Sequence, residues 1–116
     1  MRVLTEMEKK STSALRSRRA RLLRTFPSTE HLLRGSLIER YLRCGKPGCK
    51  CAQGEGHGPK FYLSVSFAGH RPQADYVRQG DYERVSQCLS NYQQLRAAIE
   101  EICEINRELL RRRESL

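Results

Sequence analysis

No stretch of the chain approaches the roughly eighteen consecutive apolar residues that a membrane-spanning helix requires, which excludes a transmembrane protein. Tryptophan is absent, aromatic residues make up 7% of the chain and hydrophobic residues 38%, so material for a large enclosed substrate pocket is lacking. Acidic residues are in deficit, 13 against 22 lysines and arginines, for a formal net charge of +9. The opening residues Met1-Arg2-Val3-Leu4-Thr5-Glu6 show neither an apolar leader nor a cleavage site, so a reducing, cytoplasmic setting is expected. Neither a nucleophile triad nor a pair of carboxylates stands out, and Gly54-x-Gly56-x-Gly58 neither follows a strand nor opens a helix. A binding protein rather than an enzyme is expected, and the basic balance points to polyanions, nucleic acid foremost.

What is present is unevenly spread. The first 25 residues hold eight basic and two acidic side chains, whereas residues 81–116 hold six and seven. Residues 6 to about 25 read as one helix. Thr5 and Glu8 have the spacing of a capping box, Pro27 closes the segment, and Met7, Ala14, Leu15, Leu22 and Leu23 form a thin apolar stripe. Arg16, Arg18, Arg19, Arg21 and Arg24 wrap the rest, and guanidinium forks suit phosphate oxygens. A solvated helix or part-ordered arm is the plainer alternative. One further helical turn is expected over 28–33, closed by Gly35.

Strands follow. One is expected over 36–43, and a second where Phe61, Leu63, Val65 and Phe67 alternate with Tyr62, Ser64 and Ser66. Ala68-Gly69-His70 reads as a hairpin turn and 73–78 as the returning strand. The hydroxyl-bearing face could meet nucleic-acid backbone or base edges, or be an ordinary solvated sheet surface. From Asp81 a long helix is expected, with Val85, Cys88, Tyr92, Leu95, Ile99, Ile102, Asn106, Leu109 and Arg113 at three-four spacing. Leu89, Ala98, Cys103, Ile105 and Leu110 widen that stripe beyond a bare zipper, so several packing partners are implied. Leu95, Ile99, Ile102, Asn106 and Leu109 are the candidates for self-association or for a helical protein partner. Cys88 and Cys103 are expected as core thiols.

The densest chemistry lies between the first two strands. Cys44, Cys49, Cys51 and His57 present three thiolates and an imidazole, a donor set suited to tetrahedral zinc, and the surrounding glycines allow the tight bends this needs. The spacing, C-x4-C-x-C-x5-H, departs from paired C-x2-C knuckles. An iron–sulfur cluster would need a fourth thiolate from Cys88 or Cys103, and a glycine loop with unliganded thiols is the third reading. Glu55 could be drawn as the base of a catalytic zinc, but a thiolate-rich shell quenches Lewis acidity, so a structural zinc is the expectation. Arg40, Arg43, Lys46, Lys50 and Lys60 flank the cluster and would clamp phosphates.

The string Leu33-Arg34-Gly35-Ser36-Leu37, Arg40-Tyr41, Cys44-Gly45-Lys46, Cys49-Lys50-Cys51 and Gly56-His57-Gly58-Pro59, continuing to Tyr62-Leu63 and Asn91-Tyr92, resembles a family of small uncharacterised prokaryotic proteins. The resemblance spans about residues 33–110, leaves the basic N-terminal helix outside, and implies a setting in or near mobile elements and transposases. In outline, three strands followed by a helix is also similar to the arm-binding domains of tyrosine integrases. The expected protein is α+β: a basic helical arm (1–34), a zinc-stapled three-stranded antiparallel sheet (35–80) and a long amphipathic helix (81–116). It would bind nucleic acid, DNA ahead of RNA, as an accessory factor of a mobile element or nucleoprotein complex. A protein-assembly module acting through the long helix is the alternative.

Overall fold

In a computed structural model, the chain is α+β, and the structure describes residues 2–42, 48 and 57–116. Its elements are α1 (Arg2–Lys9), α2 (Thr12–Arg24), β1 (Ser36–Leu42), β2 (His57–Val65), β3 (Gln73–Val77), a short 3-10 turn (Gln79–Asp81) and α3 (Tyr82–Arg111). The chain divides into two compact units. One joins residues 1–30 with 91–116, the other holds residues 31–90, and α3 begins in the second and ends in the first.

The helical unit corrects the expectation of one N-terminal helix. The helix breaks at Ser11, whose backbone is extended (φ −69°, ψ 157°) and whose Oγ accepts the Ala14 N–H at 3.1 Å. A serine hydroxyl satisfies a free helix-start N–H well, so the cap forms at Ser11 rather than at Thr5, which lies inside α1. Thr25 ends α2 by donating its N–H to the carbonyls of Arg21 and Leu22, two residues ahead of Pro27. The segment 28–33 is a turn rather than a helical turn.

Met7, Leu15 and Leu22 pack with Ile105 and Leu109, and Ala98 and Ile102 lie against this cluster. The α3 seam the chain buries within itself therefore runs 98–102–105–109. Of the expected self-association set, Leu109 is buried in this core and Ile102 lies against it, Asn106 is bound to Arg19, Leu95 is half-buried and Ile99 is exposed. Ala14 and Leu23 of the expected apolar stripe are exposed, and so is Cys103, whereas Cys88 is buried as expected. At its C-terminus α3 closes with a Schellman arrangement. Arg113 takes a left-handed φ of 58°, its N–H reaches the Leu110 carbonyl at 3.0 Å, and the Glu114 N–H reaches Leu109 at 2.9 Å.

In the other unit the strands form an antiparallel meander in the order β1-β2-β3. Ser36 pairs with Ser64, Ile38 with Tyr62 and Arg40 with Lys60. On the other side of β2, Tyr62 pairs with Tyr76 and Phe61 with Val77. Leu63 and Val77 are buried on one face, where Phe61 meets Tyr82 of α3 at 4.8 Å between ring centroids. The Leu33 N–H reaches the Cys88 carbonyl of α3 at 3.2 Å, which ties the strand's approach to that helix. Gly35 has φ 131°, and a Cβ there would stand 2.5 Å from the Ser64 carbonyl oxygen, so the close approach admits only glycine. The hairpin turn is as expected: the His70 N–H reaches the Phe67 carbonyl at 3.2 Å, with Gly69 at φ 76° in the turn. Phe67 lies beyond the strand and is exposed.

Candidate nucleic-acid interface

Pleating sends alternate side chains of a strand to opposite faces, and the register makes that sorting informative here. Glu39 and Asp75, the acidic residues of the described strands, fall on the face that carries Phe61, Leu63 and Val77. Arg40 and Lys60 fall on the other, together with Ile38, Tyr62 and Tyr76. No acidic side chain occurs among the described residues of that second face.

Three of the groups on the basic face touch in series. The Arg40 guanidinium lies over the Tyr62 ring, 5.2 Å from its centroid. Tyr62 meets Tyr76 edge-on at 5.7 Å, with the ring planes at 65°. Arg40, Tyr62 and Tyr76 thus form a strip that crosses all three strands, with Lys60 directly opposite Arg40. Tyr76 is 55% exposed. Beyond the small row Ser36, Ser64 and Ala74, Arg34 covers the Phe67 ring at 5.2 Å and donates to the Ser66 carbonyl at 2.8 Å.

The arginines of α2 are placed differently from what their composition suggests. Arg18 makes a two-pronged bond to the Glu101 carboxylate, at 2.6 and 3.0 Å. This bond, outweighing partial burial, holds the Glu101 carboxyl below the usual glutamate range and raises the Arg18 guanidinium. Arg19 donates to the Asn106 side-chain oxygen at 2.6 Å, and Arg16 to the Ser115 carbonyl at 2.9 Å, with Glu114 at 3.8 Å. Asn106, one of the residues expected in self-association, takes this bond within the chain. Arg21 and Arg24 are exposed. Arg112, unremarked in the sequence, donates to Glu108 at 2.7 Å and to the Met7 carbonyl at 3.0 Å, capping the end of α1.

Of the remaining candidates, Arg43, Lys46, Lys50, Cys44, Cys49 and Cys51 lie outside the described residues, and the His57 side chain is likewise not described. Among the described residues no group of three or more histidines, cysteines or acids could hold a metal. The backbone nonetheless bears on the donor set. His57 is the ladder partner of Leu42, so the sheet brings the histidine position opposite a residue only two short of Cys44. Sequence reasoning set Tyr62, Ser64 and Ser66 on this strand face and Arg40 and Lys60 beside the cysteine cluster, and it passed over Tyr76 and Ile38. Their alternation was visible, and only the register shows that both stand beside Tyr62.

Among the described residues no helix is long and apolar enough to cross a membrane. No curated protein and no solved structure matches the chain. The family that does match covers residues 12–87, reaching back over α2 and ending at Gln87, so its limits differ from the span 33–110 over which the motif string runs. Covering well over half of the sequence, that match makes the chain a member of the family described as a domain of unknown function (DUF6788).

Proposed function

We propose that the protein binds nucleic acid, DNA ahead of RNA, through the basic, tyrosine-bearing face of its sheet, as an accessory factor of a mobile element or nucleoprotein complex. The observation that carries this reading is the sorting of charge by the sheet. Arg40 and Lys60 share a face with Tyr62 and Tyr76, while Glu39 and Asp75 are sent to the other. A cationic surface with interleaved aromatic rings is the surface that phosphates and bases select. Arg43, Lys46 and Lys50 would extend it on the loop between β1 and β2, and Arg21 and Arg24 would add diffuse attraction.

Zinc bound by Cys44, Cys49, Cys51 and His57 would staple that loop. The donor chemistry fits, and so does the pairing of Leu42 with His57 at the loop's two ends. Purified protein should then carry about one equivalent of zinc, and Cys49→Ser or Cys51→Ser should lose most of it and lower the melting temperature. A zinc-free wild-type protein of unchanged stability would remove this part of the proposal.

The direct test of the function is fluorescence anisotropy over a salt series with wild type and the Arg40→Gln, Lys60→Gln double variant. Each lost phosphate contact should flatten the salt dependence on duplex by about 0.9 in the log–log slope. Unchanged affinity and slope would sink the assignment to this face. A second reading, assembly through α3, draws on the stripe of Ile99, Cys103 and Leu110, all exposed on α3. Replacing Ile99 and Leu110 with serine should abolish such assembly while leaving nucleic-acid binding intact.

A further inference from the structure

The geometry points to a single-stranded ligand, with unpaired bases stacked on Tyr76 and along the Arg40–Tyr62–Tyr76 strip. This inference rests on the nucleic-acid reading above and narrows it. A duplex keeps its base faces stacked on one another and offers a protein only base edges and sugar-phosphate backbone. For that ligand the useful side chains are cations and hydrogen-bonding groups, and an exposed tyrosine ring adds little. A single strand has free base faces, and a solvent-facing aromatic ring is the group that takes them up.

The strip has the parts such a ligand needs, in adjoining positions. Tyr76, a residue more than half exposed, offers its ring on the edge strand β3. Tyr62 stands beside it on the central strand, 5.7 Å between centroids. At 65° the two rings do not form one continuous platform, so consecutive bases would meet separate surfaces rather than share one. The third surface is Arg40. Its guanidinium lies over Tyr62, and the plane facing away from that ring can stack on a base while its charge faces a phosphate. Lys60, opposite Arg40 in the ladder, supplies a second phosphate contact at the same end. A strand lying across the sheet from β3 to β1 therefore runs from a base-stacking end to a phosphate-holding end. The neighbouring row Ser36, Ser64 and Ala74 is small enough to let the bases approach and provides two hydroxyls for their edges.

The absence of tryptophan makes the test direct, because tyrosine dominates the intrinsic fluorescence of the protein. The full chain is titrated with labelled oligothymidylate, labelled oligouridylate and a labelled mixed-sequence duplex of equal length, followed by anisotropy and by tyrosine emission. Single strands should bind at least about ten-fold tighter than duplex and quench the emission. Tyr76→Thr, which retains a good strand former, should lower single-strand affinity about 5- to 150-fold and leave duplex affinity unchanged. Tyr76→Phe, which retains the ring, should restore most of the loss. The two single-strand arms distinguish DNA from RNA. If duplex binds as tightly as single strands, and Tyr76→Thr has no effect while Arg40→Gln with Lys60→Gln weakens binding, the single-strand inference is overturned and the nucleic-acid reading stands. If none of the three ligands binds, both fall. The comparison of single strand with duplex on the unmodified protein requires no variant, so a misfolded substitution leaves the single-strand preference testable.

Discussion

At the scale of single residues, two backbone positions make opposite demands. Gly35 holds a φ that side chains avoid and sits where a Cβ would collide with the Ser64 carbonyl. Gly35→Ala should therefore cost about 1–3 kcal/mol in urea unfolding, through the turn that leads into β1. Arg113 occupies the left-handed position that ends α3, where glycine is the usual occupant. Arg113→Gly should raise stability by ~1 kcal/mol, read as a higher urea midpoint at an unchanged slope. The two positions were not equally legible. Gly35 stood out as a break between a helical and a strand-like segment, whereas nothing in the run Arg111-Arg112-Arg113 says which arginine leaves the helix. The partners of Arg18 and Arg19 were hidden for a related reason, since they lie more than eighty positions away in sequence and composition records only the charge.

At the scale of elements, β2 and α3 were readable because each obeys a single period over its length: two for Phe61, Leu63 and Val65, and three-four for the apolar stripe of α3. The break between α1 and α2 was not. Ser11, Thr12 and Ser13 are all competent caps, and which one terminates the helix depends on where Met7 and Leu15 must point to reach Ile105 and Leu109. The α2–α3 contact carries a measurable pH dependence. Glu101 is held below the usual glutamate value of 4.5 by Arg18, so its folded form resists protonation more than its unfolded form does. The stabilisation is complete above that ordinary value and fades as pH falls through the lowered one. Both side chains are partly exposed, at 40% and 29%, so the contribution after solvent screening is about 0.5–1 kcal/mol. Urea midpoints compared at neutral pH and in strong acid should show wild type losing that increment, and Glu101→Gln should lack it at both.

For the whole molecule, the location of the positive charge matters more than its amount. Most of the α2 arginines serve the helical unit, while the sheet carries a smaller set of cations next to aromatic rings. Replacing Arg16, Arg18, Arg19 and Arg21 together with glutamine should lower the melting temperature as well as any nucleic-acid affinity, because three of the four hold α2 to residues of α3 or the segment after it. The Arg40 and Lys60 variants should lower affinity and leave the melting temperature unchanged. A thermal melt beside each binding curve distinguishes the two effects, and equal losses of stability in both sets would contradict this division of labour.

The helical unit is also interrupted in sequence, since residues 31–90 intervene between its two halves. During synthesis the strands emerge and can pair in order, each with the one just made, because the sheet is a simple meander. The first two helices have no such neighbour. Leu15 and Leu22 remain without their packing partners until residues 91–116 have left the ribosome. Throughout that delay the arginines around them are unpaired as well, and their mutual repulsion keeps one nascent chain from clustering with the next. The charge that later ties α2 to α3 thus first acts as a solubilising sheath for the part of the protein that folds last.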